Sequence, residues 1–295
     1  HKIDFIKFDS DIKNITTVDN KGSFEGCISL QQISIPSSLT TIENKSFAKC
    51  SNLMEIEIPS SVTSIGYSVF YGCSSLSKIT ILSPLKSIDY CTFLKCSKLT
   101  QIEIPSSVTS IGSSAFYGCS SLSEISIPSS VTSIGKNAFQ KCNKLIRVSL
   151  HSNLELIDEN AFNGCSSLKQ ITIPSSVASI GDYCFSGCSS LIEISIPTSV
   201  KSIGIFAFSN CSSLKEIEIP YSIDSIEKGT FECCSSLRNV TIPDSIIRIE
   251  EGAFNRCSSL KEISIPNSVK LIGNSAFEEC ISLKNINIPS SVTSI

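Results

Sequence analysis

Apolar residues recur along this chain in blocks of fixed spacing. One block reads Leu53, Ile56, Ile58, Val62 and Ile65, and another Leu122, Ile125, Ile127, Val131 and Ile134. Ile56 and Ile58 lie two apart and alternate with Glu55 and Glu57. That alternation predicts a short strand with one face buried and one in water. Pro36, Pro59, Pro105 and Pro128 follow their strands and mark the ends, since proline cannot donate to a ladder. The stretch Ile65-Gly66-Tyr67-Ser68-Val69-Phe70 is too short for an autonomous α-helix. One or two turns of α- or 3-10 helix, held by packing, are expected there.

The blocks repeat every 23 residues: Phe stands at Phe24, Phe47, Phe70 and onward to Phe277 without a slip. A cysteine follows each Phe by three residues, from Cys27 to Cys280, and a leucine three further on, from Leu30 to Leu283. Ile3, Ile6, Phe8, Ile12 and Ile15 keep the same offsets, with four extra residues before Phe24. The last unit runs Leu283, Ile286, Ile288, Val292, Ile295. Self-similarity at this period is the signature of a solenoid, in which no unit buries its apolar face alone. The expected fold is an α/β solenoid with 13 strand units and 12 intervening Phe–Cys segments. At about 4.8 Å between strands the parallel sheet would be about 60 Å long. Residues 1–295 are read as one domain: an irregular unit 1–23, regular repeats 24–295, and a C-terminus truncated without a cap. As an excised fragment it is expected to be followed by further repeats or a capping segment, and its open end could self-associate.

At this point the residues carry a resemblance. Ile-Pro-Ser-Ser-Val-Thr-Ser-Ile-Gly at 58–66 and Ala-Phe-Tyr-Gly-Cys-Ser-Ser-Leu at 115–122 resemble the BspA-type leucine-rich repeat. The resemblance implies a curved right-handed solenoid with a concave parallel sheet. It implies a cell-surface or secreted protein of an anaerobic bacterium or mucosal protist parasite. It also implies adhesion to host matrix proteins or to other microbes.

The 27 acidic and 24 basic side chains and a pI near 5.6 argue against a dedicated nucleic-acid binder. No apolar run approaches a membrane span. Two histidines, no Gly-rich phosphate loop, and no HExxH, GxSxG or CxxC pair leave no catalytic constellation, cofactor or metal site. Glu193 and Glu216, on neighbouring strands, could resemble a two-carboxylate glycosidase pair. An exposed acidic column that repeats is more simply a solvated face.

Fifteen cysteines first suggest a disulfide scaffold. Twelve of them, however, occupy equivalent positions, so stacking points their side chains the same way and disfavours the geometry of a disulfide. A buried ladder of free thiols, with S–H groups donating to turn carbonyls, is expected instead. Cys91, Cys184 and Cys233 fall outside the column and are the candidates for exposure, as tolerated substitutions or occasional intermolecular partners.

Three surfaces could bind a partner. On the concave face the candidates are Glu55, Glu57, Lys78, Glu103, Glu124, Arg147, Glu193, Glu216 and Glu218, among short hydroxyls and amides. On the convex flank, positions three before and one after each Phe would share a helical face. That brings Tyr67, Tyr71, Tyr90, Leu94 and Tyr117 into an aromatic patch suited to a partner or to self-association. The solenoid ends are the third. Leu82 and His151 break the proline column, and a lone histidine there reads as a surface substitution. Sequons occur at Asn14, Asn44, Asn210 and Asn239, with Asn14 and Asn44 the safer glycan sites. The leading functional reading is a non-enzymatic protein-binding module of the cell surface, with a host matrix or other surface protein as its partner. The alternatives are a structural spacer projecting another domain and an intracellular interaction scaffold in the cytoplasm.

Overall fold

A computed structural model describes the backbone of Phe5–Lys7 and Asn14–Ile15 and all of residues 22–295. The expected core positions Ile3, Phe8 and Ile12 lie outside the described residues. The chain forms two compact units, His1–Asn153 and Leu154–Ile295.

Within each unit the chain coils so that residues 23 apart become neighbours. In the first unit Phe5–Lys7, Gln32–Ser34, Glu55–Ile58 and Lys78–Ile81 pair in that order, all parallel. Farther along, Glu124–Ser126 pairs with Arg147–Ser149. In the second unit Gln170–Thr172 pairs with Glu193–Ser195, and Glu216–Glu218 with Asn239–Thr241. The register is the repeat itself, with Glu55 opposite Lys78 and Ile56 opposite Ile79. Ten strands of this kind form among the described residues, short of the thirteen that the pattern suggests. Residues 101–104 carry the pattern without forming a strand, and Ser264 makes only an isolated bridge to Asn287. One strand pair runs longer where a proline is replaced. Leu82 stands where most other coils have proline, and its N–H donates to the Ile58 carbonyl at 2.9 Å. The four-residue pairing of Glu55–Ile58 with Lys78–Ile81 is the result.

A second parallel ladder runs along each unit. It is built from two-residue strands such as Thr41–Ile42 and Ser64–Ile65 in the first unit, and Ser179–Ile180 and Ser202–Ile203 in the second. Its isoleucines close the core from another side: Ile42 and Ile134 are fully buried, and Ile180 is almost so.

The Phe–Cys segments are not helical; no helix occurs among the described residues. The residues two before and two after the Phe take left-handed backbone angles, for example Lys45 (φ 57°) and Lys49 (φ 60°) around Phe47. A right-handed helix cannot pass through such residues. The N–H groups instead alternate between two kinds of partner. Ala48 and Cys50 donate within the coil, to Lys45 and Phe47, while Phe47 and Lys49 donate to Val69 and Tyr71 of the next coil. Each segment is thus a chain of tight turns that also forms a third inter-coil ladder. Coils approach so closely there that a Cβ on Gly112 would lie 2.8 Å from the Tyr90 nitrogen.

The phenylalanines stack face to face along each unit, with centroids 5.2 Å apart for Phe116–Phe139 and 5.8 Å for Phe47–Phe70. The cysteine column lies against them. Cys73 donates its S–H to the Phe47 carbonyl at 3.1 Å, and Phe47 also accepts the Cys50 N–H, so this carbonyl has two partners. The same contact recurs from Cys50 to Cys280 at 3.1–3.3 Å where it is described. All fifteen cysteines are free thiols. The abundant serines make ladders of their own. Ser74 donates to the Ser51 carbonyl and Ser97 to that of Ser74. Much of the Ser-rich composition therefore serves stacking.

The exposure expected of the off-column cysteines is corrected for two of them. Cys184 replaces the alanine that precedes Phe in neighbouring coils and is fully buried. Cys91 takes a left-handed position (φ 56°) and is buried as well, its thiol in contact with Ser68, Tyr90 and Ser114. Cys233, also left-handed (φ 59°), is half-buried, as is Cys27 at the start of the column. Native-state alkylation with iodoacetamide is expected to label Cys233 and Cys27 first and to leave the other thiols unreacted until unfolding. Mass mapping of the labelled peptides checks this, and early labelling of Cys184 would contradict the packing.

Candidate binding face

Alternation in the first ladder sends isoleucines inward and polar residues outward. Ile56 and Ile217 are buried, whereas Glu55, Glu57, Glu216 and Glu218 are exposed. Because the register is 23, equivalent polar side chains stand in columns on a floor fixed by backbone pairing.

The columns enclose two grooves. In the first unit a groove of about 270 Å³ is lined by Gln32, Ser34, Glu55, Glu57, Lys78 and Thr80. Gln32 donates its amide to the Glu55 carboxylate at 2.8 Å, which fixes one wall. The second unit has a larger groove of about 810 Å³. Its charged lining is Glu193, Glu216 and Glu218, with no cation, and Pro197, Pro220 and Pro243 line it as well. None of these three carboxylates has a side-chain ion pair or hydrogen bond among the described residues. A partner's basic or amide groups would therefore meet carboxylates that the protein itself does not neutralise.

The structure thus brings together Glu55, Glu57 and Lys78 in one groove, and Glu193, Glu216 and Glu218 in another. Glu124 and Arg147 stand opposite each other in register and line neither groove, and Glu103 lies in a stretch without strand. Tyr221, which is 71% exposed, is a groove residue that pattern reasoning passed over. The signal was present, since Tyr221 stands where most coils have the first serine of Pro-Ser-Ser. An exposed aromatic on the rim of a polar groove is a common anchor in protein recognition.

The expected convex patch takes a different form without helices. Tyr71, Leu94 and Tyr117 occupy one column, linked through the N–H groups of Gly72 and Lys95, and Tyr67 and Tyr90 occupy another. Lys45 lies 5.9 Å over the Tyr67 ring and Lys141 5.7 Å over that of Tyr117. Only Tyr90 is well exposed; the other four are half-buried. The sequons fare unevenly. The Asn44 side chain accepts the Tyr67 N–H at 3.0 Å, and the Asn14 side chain lies outside the described residues.

Among the described residues no group of three or more His, Cys, Asp or Glu is arranged to hold a metal ion. Among the described residues no helix is long and apolar enough to cross a membrane.

Comparison with known proteins follows the same architecture. The BspA type Leucine rich repeat region matches in six copies over residues 16–146, 86–194 and 178–295. A leucine-rich repeat protein from Bacteroides ovatus is 32% identical over 87% of this chain and 78% of its own, with a TM-score of 0.60. A leucine-rich cell surface protein from Faecalibacterium prausnitzii is 31% identical over 93% of this chain and 89% of its own, with a TM-score of 0.58. A leucine-rich repeat protein from Eubacterium ventriosum, 24% identical over 98% of this chain and 85% of its own, shares the fold with a TM-score of 0.59. No curated protein matches the chain.

Proposed function

This chain belongs to the BspA-type leucine-rich repeat family, and from that premise we propose that it is a non-enzymatic protein-binding module of the cell surface. The strand face is its binding face, and an extended segment of a host matrix or other surface protein is its ligand. The observation that carries this reading is the groove of about 810 Å³ in the second unit, where Glu193, Glu216 and Glu218 stand unpaired beside the exposed Tyr221. A floor held by parallel backbone pairing is rigid, so little conformational entropy is lost when a ligand lies along it. The similarity to a cell surface protein of Faecalibacterium prausnitzii supports the location.

Free thiols are compatible with an oxidising exterior here. Burial pushes the column thiols up, Cys50 and Cys188 to about 12, so almost no thiolate forms at neutral pH. The thiolate is the reactive species, and a buried S–H donor is inert.

Binding of the chain to immobilised extracellular matrix and plasma proteins tests the reading. Saturable binding is expected to at least one of them. The triple variant E193K/E216K/E218K is expected to weaken it by about tenfold or more, chiefly through faster dissociation. Equal binding by the variant would move the site off the second groove. Absence of binding across the panel would favour the spacer.

A further inference from the structure

We propose that the second unit carries a separate binding surface for a linear sulfated polysaccharide, formed by a column of unpaired cations beside the strand face. The residue after each core leucine is Lys169, Ile192, Lys215, Arg238, Lys261 and Lys284 in successive coils. Backbone bonds join the column from Lys169 to Arg238: Ile192 N–H donates to Lys169 O at 3.1 Å, Lys215 N–H to Ile192 O at 3.3 Å and Arg238 N–H to Lys215 O at 2.8 Å. Lys261 and Lys284 continue it at the same repeat offset. All five cations are exposed. At the spacing of parallel strands they stand about 4.8 Å apart from coil to coil, and the column spans about 24 Å.

Stacking does not require this arrangement. The same column in the first unit reads Gln31, Met54, Ser77, Thr100, Ser123 and Ile146, without a charge. Like charges on adjacent strands repel. The second unit is moreover acidic as a whole, with ten basic and sixteen acidic residues between 154 and 295. Of its five other cations three find partners, Lys228 with Glu251, Arg248 with Glu250, and Arg256 with Glu279, while Lys201 and Lys270 stand singly. None of the five column cations has a side-chain partner among the described residues. A row of unneutralised positive charge in an acidic unit is complementary to a polymer that carries negative charge at regular intervals.

The neighbouring chemistry selects among such polymers. One residue before each leucine stand Ser190, Ser213, Ser236 and Ser259, whose hydroxyls make no side-chain hydrogen bond within the protein among the described residues. They offer hydrogen bonds to sulfate and sugar oxygens alongside the cations. The column holds no aromatic ring on which a base could stack, as single-stranded nucleic acid sites require. It lies outside the lining of the groove with Glu193, Glu216 and Glu218, along the edge where Glu216 directly follows Lys215 in the chain.

The test is binding of the whole chain to heparin, beside unsulfated dextran and oligo(dT). Heparin binding is expected to weaken on the order of a hundredfold between about 50 and 200 mM salt, by the counterion-release rule for four or five charge contacts. The variant K169Q/K215Q/R238Q/K261Q/K284Q is expected to lose both the binding and its salt dependence. The control K201Q/K228Q/R248Q/R256Q/K270Q removes as many charges from the same unit and is expected to keep them. Coincident thermal melts show that both variants fold. Heparin binding retained by the column variant, or lost equally by the control, overturns the proposal. So does tighter binding to oligo(dT) than to heparin, which would reassign the surface to nucleic acid.

Discussion

Raising the pH from about 8 to about 11 is expected to unfold each compact unit of this protein steeply, with several thiols losing their protons together. Ten cysteines are fully buried and have thiols pushed above the ordinary value by loss of solvent: Cys50, Cys73, Cys96, Cys119, Cys142, Cys184, Cys188, Cys211, Cys234 and Cys257. For Cys50 and Cys188 the value reaches about 12 against 9.0. Because the folded value is raised, each thiol's contribution is fully present below the unfolded value and is lost as pH climbs through the folded one. Above about pH 9 the unfolded chain binds fewer protons than the folded chain, so stability falls with pH. Each thiol contributes a slope of about 1.4 kcal/mol per pH unit. Five lie in each compact unit, so each unit loses about 7 kcal/mol per pH unit, a large share of the stability of a typical domain. Circular dichroism and thiolate absorbance followed against pH are expected to change together near pH 10. Replacing Cys50 and Cys188 by alanine is expected to make the transition shallower in proportion. Thiols that titrate one by one while the circular dichroism holds would contradict their burial.

The column that makes this behaviour possible was legible in the sequence, because a 23-residue period places equivalent residues on equivalent atoms. Phe, Cys and Leu at fixed offsets are stacked and buried as the period requires, and Glu55 stands opposite Lys78. Other features left no such trace. Strands as short as Ser64–Ile65 cannot show an alternation, so the second ladder was invisible. The tight turns resemble helical turns in the sequence because their left-handed positions are not marked by one residue type. Gly229 and Asn137 are favourable there, but Tyr183 and Phe206 (both φ 54°) occupy the same position, their rings stacked 5.1 Å apart. Neighbouring coils impose the conformation through the inter-coil bonds, which no local propensity reveals. On the binding face, exposure followed directly from alternation. Which carboxylates share a groove did not, since that depends on how the coils stack. Glu193, Glu216 and Glu218 meet in one groove while Glu103 lies outside it, though all four occupy the same two columns.

The phenylalanine stack gives the second large effect, and its size is expected to depend on position. Phe208 is fully buried between Phe185 at 5.5 Å and Phe231 at 5.6 Å. Phe208→Ala removes the ring from a site whose walls are backbone ladders on both sides, so the cavity cannot collapse. Its cost is expected to lie at the upper end of the range of about 3–5 kcal/mol for such truncations. Phe277 stacks on Phe254 at 5.5 Å, has no following Phe in the chain, and is only half-buried. Phe277→Ala is therefore expected to cost about half as much, since its lost contacts and buried area are correspondingly fewer. Urea unfolding of the two variants measures the difference. Hydrogen exchange places it, because coupling in a repeat protein runs between nearest neighbours. Protection is expected to fall around Phe185, Phe208 and Phe231 in the first variant, and only near the last coils in the second. Equal losses spread over the whole second unit would mean that it unfolds as a single cooperative block, with the coil-to-coil interfaces too strong for any one coil to open alone.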